Sequence, residues 1–344
     1  MPLTIKDIAR IAGVSHSTVS RGLNGKPGVS DELRDKIKQI ASDLGFEFNA
    51  NARSLSTAKT GTIGIIYDEE NYESTLHIYS MGLLRYMRNS LEREDLDAII
   101  TFSKNRFTGY DNIEKLINKR KVDGLIIISS RIDIKTIHFL NDAKIPFVFS
   151  HQIPDENFGD VDSVYCDHFN GGYIAGGHLI KQGCRKLLCI ARKDNRKEFQ
   201  MRTAGFTSAA RDSGLEIDKQ SVITGGYTFI DGYNTAIANL DRIKKSDGIF
   251  IHTDLKALGV ISALSERDIS VPDDICVIGY DDTELCTFIK PSLTSIQQPS
   301  EKIAVQTCER LIELLNGSRE IKTKKIILPP RLIERDSSNR KIRN

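Results

Sequence analysis

The chain has 344 residues, with 48 Lys and Arg against 46 Asp and Glu, a net charge of +2, 40% hydrophobic residues and no tryptophan. That length exceeds one hydrophobic core, and the balanced composition excludes disordered, collagen-like and membrane-spanning classes. No apolar leader opens the sequence and no long apolar run follows, so the expected compartment is the cytosol.

Residues 1–25 read MPLTIKDIARIAGVSHSTVSRGLNG. Ile5, Ile8, Ala9 and Ala12 fall on one helical face after a capping Thr4, and Gly13 supplies the left-handed residue that ends a first helix. A second helix follows within three residues. On it Val19 and Leu23 point one way, while Ser17, Ser20, Arg21 and Asn24 cluster on another face. Short hydroxyls, one amide and one Arg are a poor solvated face but a good DNA-reading one. Hydroxyls donate to phosphate, and the planar fork of Arg21 matches guanine O6 and N7. A third helix starts at Ser30, buries Leu33, Ile37, Ile40, Ala41 and Leu44, and stops at Gly45. Residues 1–60 hold nine Lys and Arg against six Asp and Glu, a modest excess suited to phosphate. One such module binds weakly, so a dimer on a palindromic duplex is expected.

The segment 48–61, FNANARSLSTAKTG, joins this headpiece to a larger body. A helix over Ala50 to Leu55 is too short to persist alone in water. Two copies side by side would wedge Leu55 into a minor groove.

Beyond residue 61 short Ile- and Val-rich runs alternate with helical stretches. The first set of strands covers 62–67, 96–102, 122–129 and 146–150, with helices over 78–91 and 112–119. The pattern restarts with 163–166, 187–191, 221–224, 248–252 and 275–279. Continuous apolar strands between helices predict parallel sheets covered on both faces, in two doubly wound lobes. Small ligands bind such sheets at the carboxyl ends of the strands. That rule selects Asp68, Phe149, Ser150, His151, Tyr227, Thr253, Asp254, Tyr280 and Asp281. Arg202, in MRTAGF, is the natural donor to a polyol. Each has a structural rival: Asp281, Asp282 and Asp254 as helix or turn caps, Arg202 as a surface ion pair, Tyr227 as core.

Other chemistry finds little support. The six cysteines (Cys166, Cys184, Cys189, Cys276, Cys286 and Cys308) form no C-x-x-C motif and read as buried, reduced thiols. The histidines lack metal-site spacing, and neither a P-loop nor a strand-linked G-x-G-x-x-G occurs. Gly171, Gly172, Gly176 and Gly177 read as packing glycines within a helix. No metal, catalytic residue or cofactor is expected. The C-terminal NRKIRN carries no leucine heptads, so a dimer is expected in preference to a tetramer.

Several of these segments, in order, resemble the lactose-repressor (LacI/GalR) family of bacterial transcription regulators. TIKDIARIAGVSHSTVSRGLNG is similar to its headpiece, ARSL to its hinge helix, SVYCDHFNGG and MRTAGF to its ligand domain, and VPDDICVIGYDDTEL with PSLTSIQQP to its C-terminal block. The resemblance implies a helix-turn-helix headpiece (1–47), a hinge (48–61), a two-lobed periplasmic-binding-protein-like ligand and dimerisation domain (62–335) and a basic tail (336–344). The lobes would comprise 62–161 with 293–321, and 162–292 with 322–335. It places His16, Ser17 and Arg21 at base edges, Thr4, Ser15, Thr18, Ser20 and Asn24 at phosphates, and Leu55 in the minor groove. Arg202, Tyr227, Thr253, Asp281 and Gln298 would line the effector pocket. Phe48 stands where the family usually has Pro, and Thr253 where many sugar-binding members have Asn.

The expected function is sequence-specific repression of a carbohydrate-utilisation operon, relieved by a sugar or glycoside inducer. The family also includes the opposite sign, with a purine-type corepressor or a phosphorylated carrier protein strengthening DNA binding. A periplasmic-type sugar-binding protein would have no use for Arg21 and Leu55. A sugar-acting enzyme would need a carboxylate pair that nothing in the sequence establishes.

Overall fold

In the computed structural model the described residues are 4–23, 27–46, 59–67, 78–129, 132–193, 196–317 and 322–340. Contacts divide the chain after Gly61 into a small N-terminal unit and a large one beginning at Thr62.

The small unit holds helices α1 (Ile5–Ala12), α2 (His16–Leu23) and α3 (Asp31–Asp43). Asp7 accepts from both the amide and the hydroxyl of Thr4, closing the start of α1. Gly13 ends the helix at φ 69°, a left-handed angle that costs glycine little. Ser30 caps α3 by accepting from the Leu33 amide. Ile8, Val19 and Ile37 are fully buried at the centre, with Leu33, Ile40 and Leu44 packed around them. The helices are held by tertiary packing, since each is too short to persist alone.

The large unit contains two six-stranded sheets. The first has the order β11-β5-β4-β3-β1-β2, all parallel, from β1 (Thr62–Tyr67), β2 (Asp97–Phe102), β3 (Gly124–Ile127), β4 (Phe147–Ser150), β5 (Ser163–Cys166) and β11 (Lys325–Leu328). The second has the order β12-β10-β9-β8-β6-β7, from β6 (Leu187–Arg192), β7 (Val222–Gly225), β8 (Gly248–Ile251), β9 (Cys276–Asp281), β10 (Thr294–Gln297) and β12 (Arg331–Ile333). Among the described strands only β12 runs antiparallel, at the edge of its sheet, where mixed sheets commonly carry such a strand. Each sheet reverses its strand order beside its first strand, and the ligand crevice of a doubly wound sheet lies at that switch point.

The sheet assignments correct the expected lobe boundaries. Ser163–Cys166 belongs to the first sheet, where Phe149 pairs with Ser163, so that lobe extends past residue 161. Thr294–Gln297 belongs to the second sheet, paired with β9. Lys325–Leu328 returns to the first, beside β5. A strand buried on both faces has no alternation to record which sheet it joins, so local pattern could not place these three. The chain therefore passes between the lobes after Cys166, after Gln297 and after Leu328.

Helix α4 (Ile78–Glu92) and helix α12 (Ser300–Leu315) cover the first sheet, with Leu83, Met87, Ile303 and Leu311 buried against it. In the second lobe α7 (His168–Lys181) packs on α8 (Lys197–Asp212), and α9 (Phe229–Ala238) on α11 (Asp254–Ser265). Both pairs approach through glycine. A Cβ on Gly205 or Gly172 would sit 1.9 Å from the carbonyl oxygen of Phe169 or Arg202. In the second pair a Cβ on Gly259 would meet the Phe229 carbonyl oxygen at 2.0 Å. Gly177, by contrast, faces open space.

Candidate DNA-reading helix and ligand cleft

On α2 the buried side is Val19 and Gly22, the latter pressed against Ile37. The opposite side exposes His16, Ser17 and Arg21, with Thr18 and Ser20 half-buried beside them. Ser15 starts the helix. Its hydroxyl accepts from the Thr18 amide at 3.1 Å and lies 2.8 Å from the hydroxyls of both Ser17 and Thr18. This hydroxyl cluster, at a helix N-terminus and without any carboxylate in the first turn, suits a phosphate oxygen. Thr4 is exposed at the start of α1. Asn24 and Leu55 lie outside the described residues.

In the large unit the carboxyl ends of the strands meet at a cavity of about 110 Å³. Tyr79, Ile128 and His151 line it from the first lobe, and Arg192, Phe199, Arg202, Tyr227, Thr253 and Asp281 from the second. Arg202 is its best-held member, only 2% exposed. Its guanidinium carbon stands 3.6 Å over the Tyr280 ring and 4.9 Å over Phe199. Its Nε donates to His168 Nδ1 at 3.4 Å, one terminal nitrogen donates to the His252 carbonyl, and the other lies 3.9 Å from Asp281. Arg192 stacks on Tyr227 at 4.3 Å and on Phe199 at 5.1 Å.

Asp281 closes β9 at φ 115° and Asp282 follows at φ 54°, both in backbone space that side chains rarely adopt. Asp281 Oδ1 accepts from Gln298 Nε2 at 2.8 Å. Burial raises the carboxyl to about 6, against the opposing pull of Arg202 and Gln298. The Thr253 hydroxyl is buried at the cavity with no hydrogen-bond partner among the described residues. His252 Nδ1 accepts the Arg192 amide at 3.3 Å, which leaves its proton on Nε2, facing the Thr203 hydroxyl at 3.2 Å. Burial, then the charge of Arg202, holds His168 and His252 well below the usual histidine range, so both are neutral.

Residues 4–49 match the model for bacterial regulatory proteins of the lacI family, and residues 177–338 match that for a periplasmic binding protein-like domain. The ribose operon repressor of Escherichia coli (strain K12) is 30% identical, over 97% of this chain and 99% of its own. The chain belongs to the LacI family. It is a DNA-binding transcriptional regulator and not an enzyme. A solved complex of the transcriptional regulator CelR with cellobiose is similar over 97% of this chain and 99% of its own, at 26% identity and a TM-score of 0.72. The lac repressor dimer, solved with operator and anti-inducer, superposes with a TM-score of 0.80 at 23% identity over 98% and 99% of the two chains, and shows the same fold.

Within this LacI-family chain, four expected effector residues, Arg202, Tyr227, Thr253 and Asp281, converge on the cavity. Three others do not. Asp254 is fully buried in the first turn of α11, accepting from the Thr283 amide at 2.7 Å and the Ser295 hydroxyl at 2.6 Å; it braces β10 and the turn after β9. Gln298 reaches the site only through Asp281. Phe149 stacks on Phe158, ring centroids 5.7 Å apart, in an adjoining cavity of about 670 Å³. Asp68 lies outside the described residues. Sequence reasoning missed Arg192, Arg196, Phe199 and Tyr79. Arg192 is the last residue of β6 and directly follows the expected run 187–191, so the strand-end rule reached it but was not applied to that strand. All six cysteines are buried and free, and burial pushes the Cys166, Cys189 and Cys308 thiols up to about 12.

Proposed function

We propose that the chain binds a palindromic operator as a homodimer and represses carbohydrate-utilisation genes until a sugar-like effector enters the cleft. In this reading His16, Ser17 and Arg21 read base edges, and Thr4, Ser15, Thr18, Ser20 and Asn24 hold phosphates. Leu55, from the hinge, enters the minor groove, and the work is done in the cytoplasm. The domain plan is a headpiece to residue 47, a hinge to 61, the effector body to 335 and a basic tail.

The observation that carries the effector half is the coupling of pocket to crossover. Asp281 faces the cavity and accepts from Gln298, which stands where the chain passes from β10 to α12 and so from one lobe to the other. A ligand that bonds Arg202 and Asp281 therefore acts on the joint between the lobes. It changes DNA affinity only as far as it binds the two lobe arrangements unequally. The relative solved with cellobiose supports a carbohydrate class.

A thermal-shift panel of mono- and disaccharides, followed by a gel shift with each hit, tests this reading. A stabilising sugar that lowers operator affinity is expected. A sugar that stabilises the chain yet leaves operator binding unchanged would contradict the coupling.

A further inference from the structure

The amino ends of the second sheet, at the opposite end from the cleft, bring two thiols together. Cys276 opens β9, the strand that Asp281 closes, and Cys184 lies in the turn between α7 and β6. β8 stands between β6 and β9, and its first residue, Gly248, pairs with Cys276. Paired residues of parallel strands point to the same face, with neighbouring strands about 4.8 Å apart. Gly248 has no side chain on that face, and Cys184 fills the space: a Cβ on Gly248 would meet both Cβ and Sγ of Cys184 at 3.0 Å. The Cys184 sulfur thus occupies the place beside the Cys276 side chain, and the two thiols are in hydrogen-bonding contact within one buried cluster. Each of the other four cysteines faces a group other than sulfur: Cys166 the Tyr280 hydroxyl, Cys189 His252, Cys286 the Asp254 carboxyl and Cys308 the Met87 carbonyl.

Among the described residues, the C-terminal segment covers the pair. The Cys276 sulfur lies 3.8 Å from the Ser338 carbonyl oxygen, and Arg340 donates to the carbonyls of Pro272 and Asp247 at 3.3 Å and of Asp274 at 2.8 Å. The Cys184 thiol donates to the same Asp247 carbonyl at 3.2 Å. A cavity of about 910 Å³ opens beside this cover, with Gly183, Ile275, Asp247 and Arg340 in its wall, so a small solute comes within one residue of each cysteine. The contact with Cys184 holds the Cys276 thiol below its usual range, against burial and the charges of Asp247 and Asp273, and with help from Arg340. The same contact, then burial, raises Cys184. Cys276 is the readier nucleophile of the two.

We propose that Cys184 and Cys276 form a reversible dithiol site, oxidised to a disulfide by a hydroperoxide that enters from the neighbouring cavity when the segment held by Arg340 loosens. The Cys276 thiolate attacks one peroxide oxygen; the O–O bond breaks, hydroxide leaves, and the sulfur becomes a sulfenic acid. The Cys184 sulfur then attacks the Cys276 sulfur, the S–O bond breaks, and the hydroxyl leaves as water with the Cys184 proton. The hydroxide of the first step takes up the proton that Cys276 released, so two thiols and one hydrogen peroxide give one disulfide and two waters. The new bond ties the turn before β6 to the start of β9, separate from the ligand cleft at the other end of that strand.

The test treats the reduced full-length protein with excess hydrogen peroxide, unfolds it, blocks free thiols with N-ethylmaleimide and maps the peptides by mass spectrometry. A cross-link between Cys184 and Cys276 is expected, lighter by two hydrogens than the separate peptides and reversed by dithiothreitol, with the other four cysteines alkylated. In Cys184→Ser, which removes the resolving thiol, Cys276 should keep a sulfenic acid that dimedone traps. Arg340→Ala should form the cross-link several-fold faster, because local opening limits the oxidation of a buried thiol. Met81 and Met201, both exposed, report the dose by their own oxidation. Full alkylation of Cys184 and Cys276 at a dose that has oxidised both methionines would overturn the proposal, as would cross-links spread evenly over the six cysteines. An unchanged rate in Arg340→Ala would overturn the C-terminal segment as the cover.

Discussion

Arg21 is exposed on α2 opposite Val19, where truncation leaves the headpiece core intact. Arg21→Ala should therefore cost about 1–3 kcal/mol of specific binding and flatten base preference, measured by anisotropy on a duplex and its single-base variants. Equal preference in both proteins would remove Arg21 from the reading face. Asp254 gives a second residue-level test. Burial, with the charge of Asp281, raises it from 3.8 to about 7. A carboxyl raised in the folded state binds a proton that the unfolded chain has released, so its stabilisation is complete below about pH 4 and fades as pH rises through 7. Asp254→Asn should flatten the fall in stability across that window, read from denaturant midpoints at a series of pH values. An unchanged slope would place the titration elsewhere. Asp254 also marks a limit of sequence reasoning: a carboxylate after a strand serves a ligand or a neighbouring loop equally well, and only the position of Ser295 and the Thr283 amide decides between them.

At the scale of elements, local chemistry specified what was local. Gly13 and Ser30 bound the headpiece helices as their backbone chemistry requires, and the apolar runs became strands within a residue or two of the expected ends. Sheet membership was not legible, because β5, β10 and β11 are chosen by partners up to 162 residues away, as in the pairing of Ser163 with Lys325. Nor did Phe149 announce which cavity it would line; its stack with Phe158 sets that. Glycine content, by contrast, was informative about packing. Gly205→Ala would drive a methyl group into the Phe169 carbonyl and part α7 from α8, at a cost of about 1–3 kcal/mol. Because Arg202 lies on α8, ligand affinity should fall with stability. Gly177→Ala, which meets nothing within 4 Å, should be neutral or slightly stabilising. Equal melting temperatures for the two variants would refute close glycine packing as the reason these helices hold Arg202 in place.

At the scale of the whole molecule, two marginal objects are joined in one chain. In the proposed function a three-helix unit reads DNA weakly alone, and a two-lobed body takes a small ligand near the chain crossover at Gln298, which bonds Asp281. In the proposed homodimer the pairing of two bodies would set the separation of two headpieces, and a ligand would alter DNA affinity through whichever lobe arrangement it prefers. Thermodynamic linkage then demands reciprocity: the factor by which effector changes operator affinity must equal the factor by which operator changes effector affinity. The decisive measurement takes a palindromic duplex selected from a random pool by the full-length protein, and titrates it by anisotropy with and without a saturating sugar found to bind the cleft. The account predicts two chains per duplex and a shift in affinity of about fivefold or more, matched by an equal shift in ligand affinity on the DNA-bound protein. A ligand that saturates the cleft while operator affinity stays the same would contradict it.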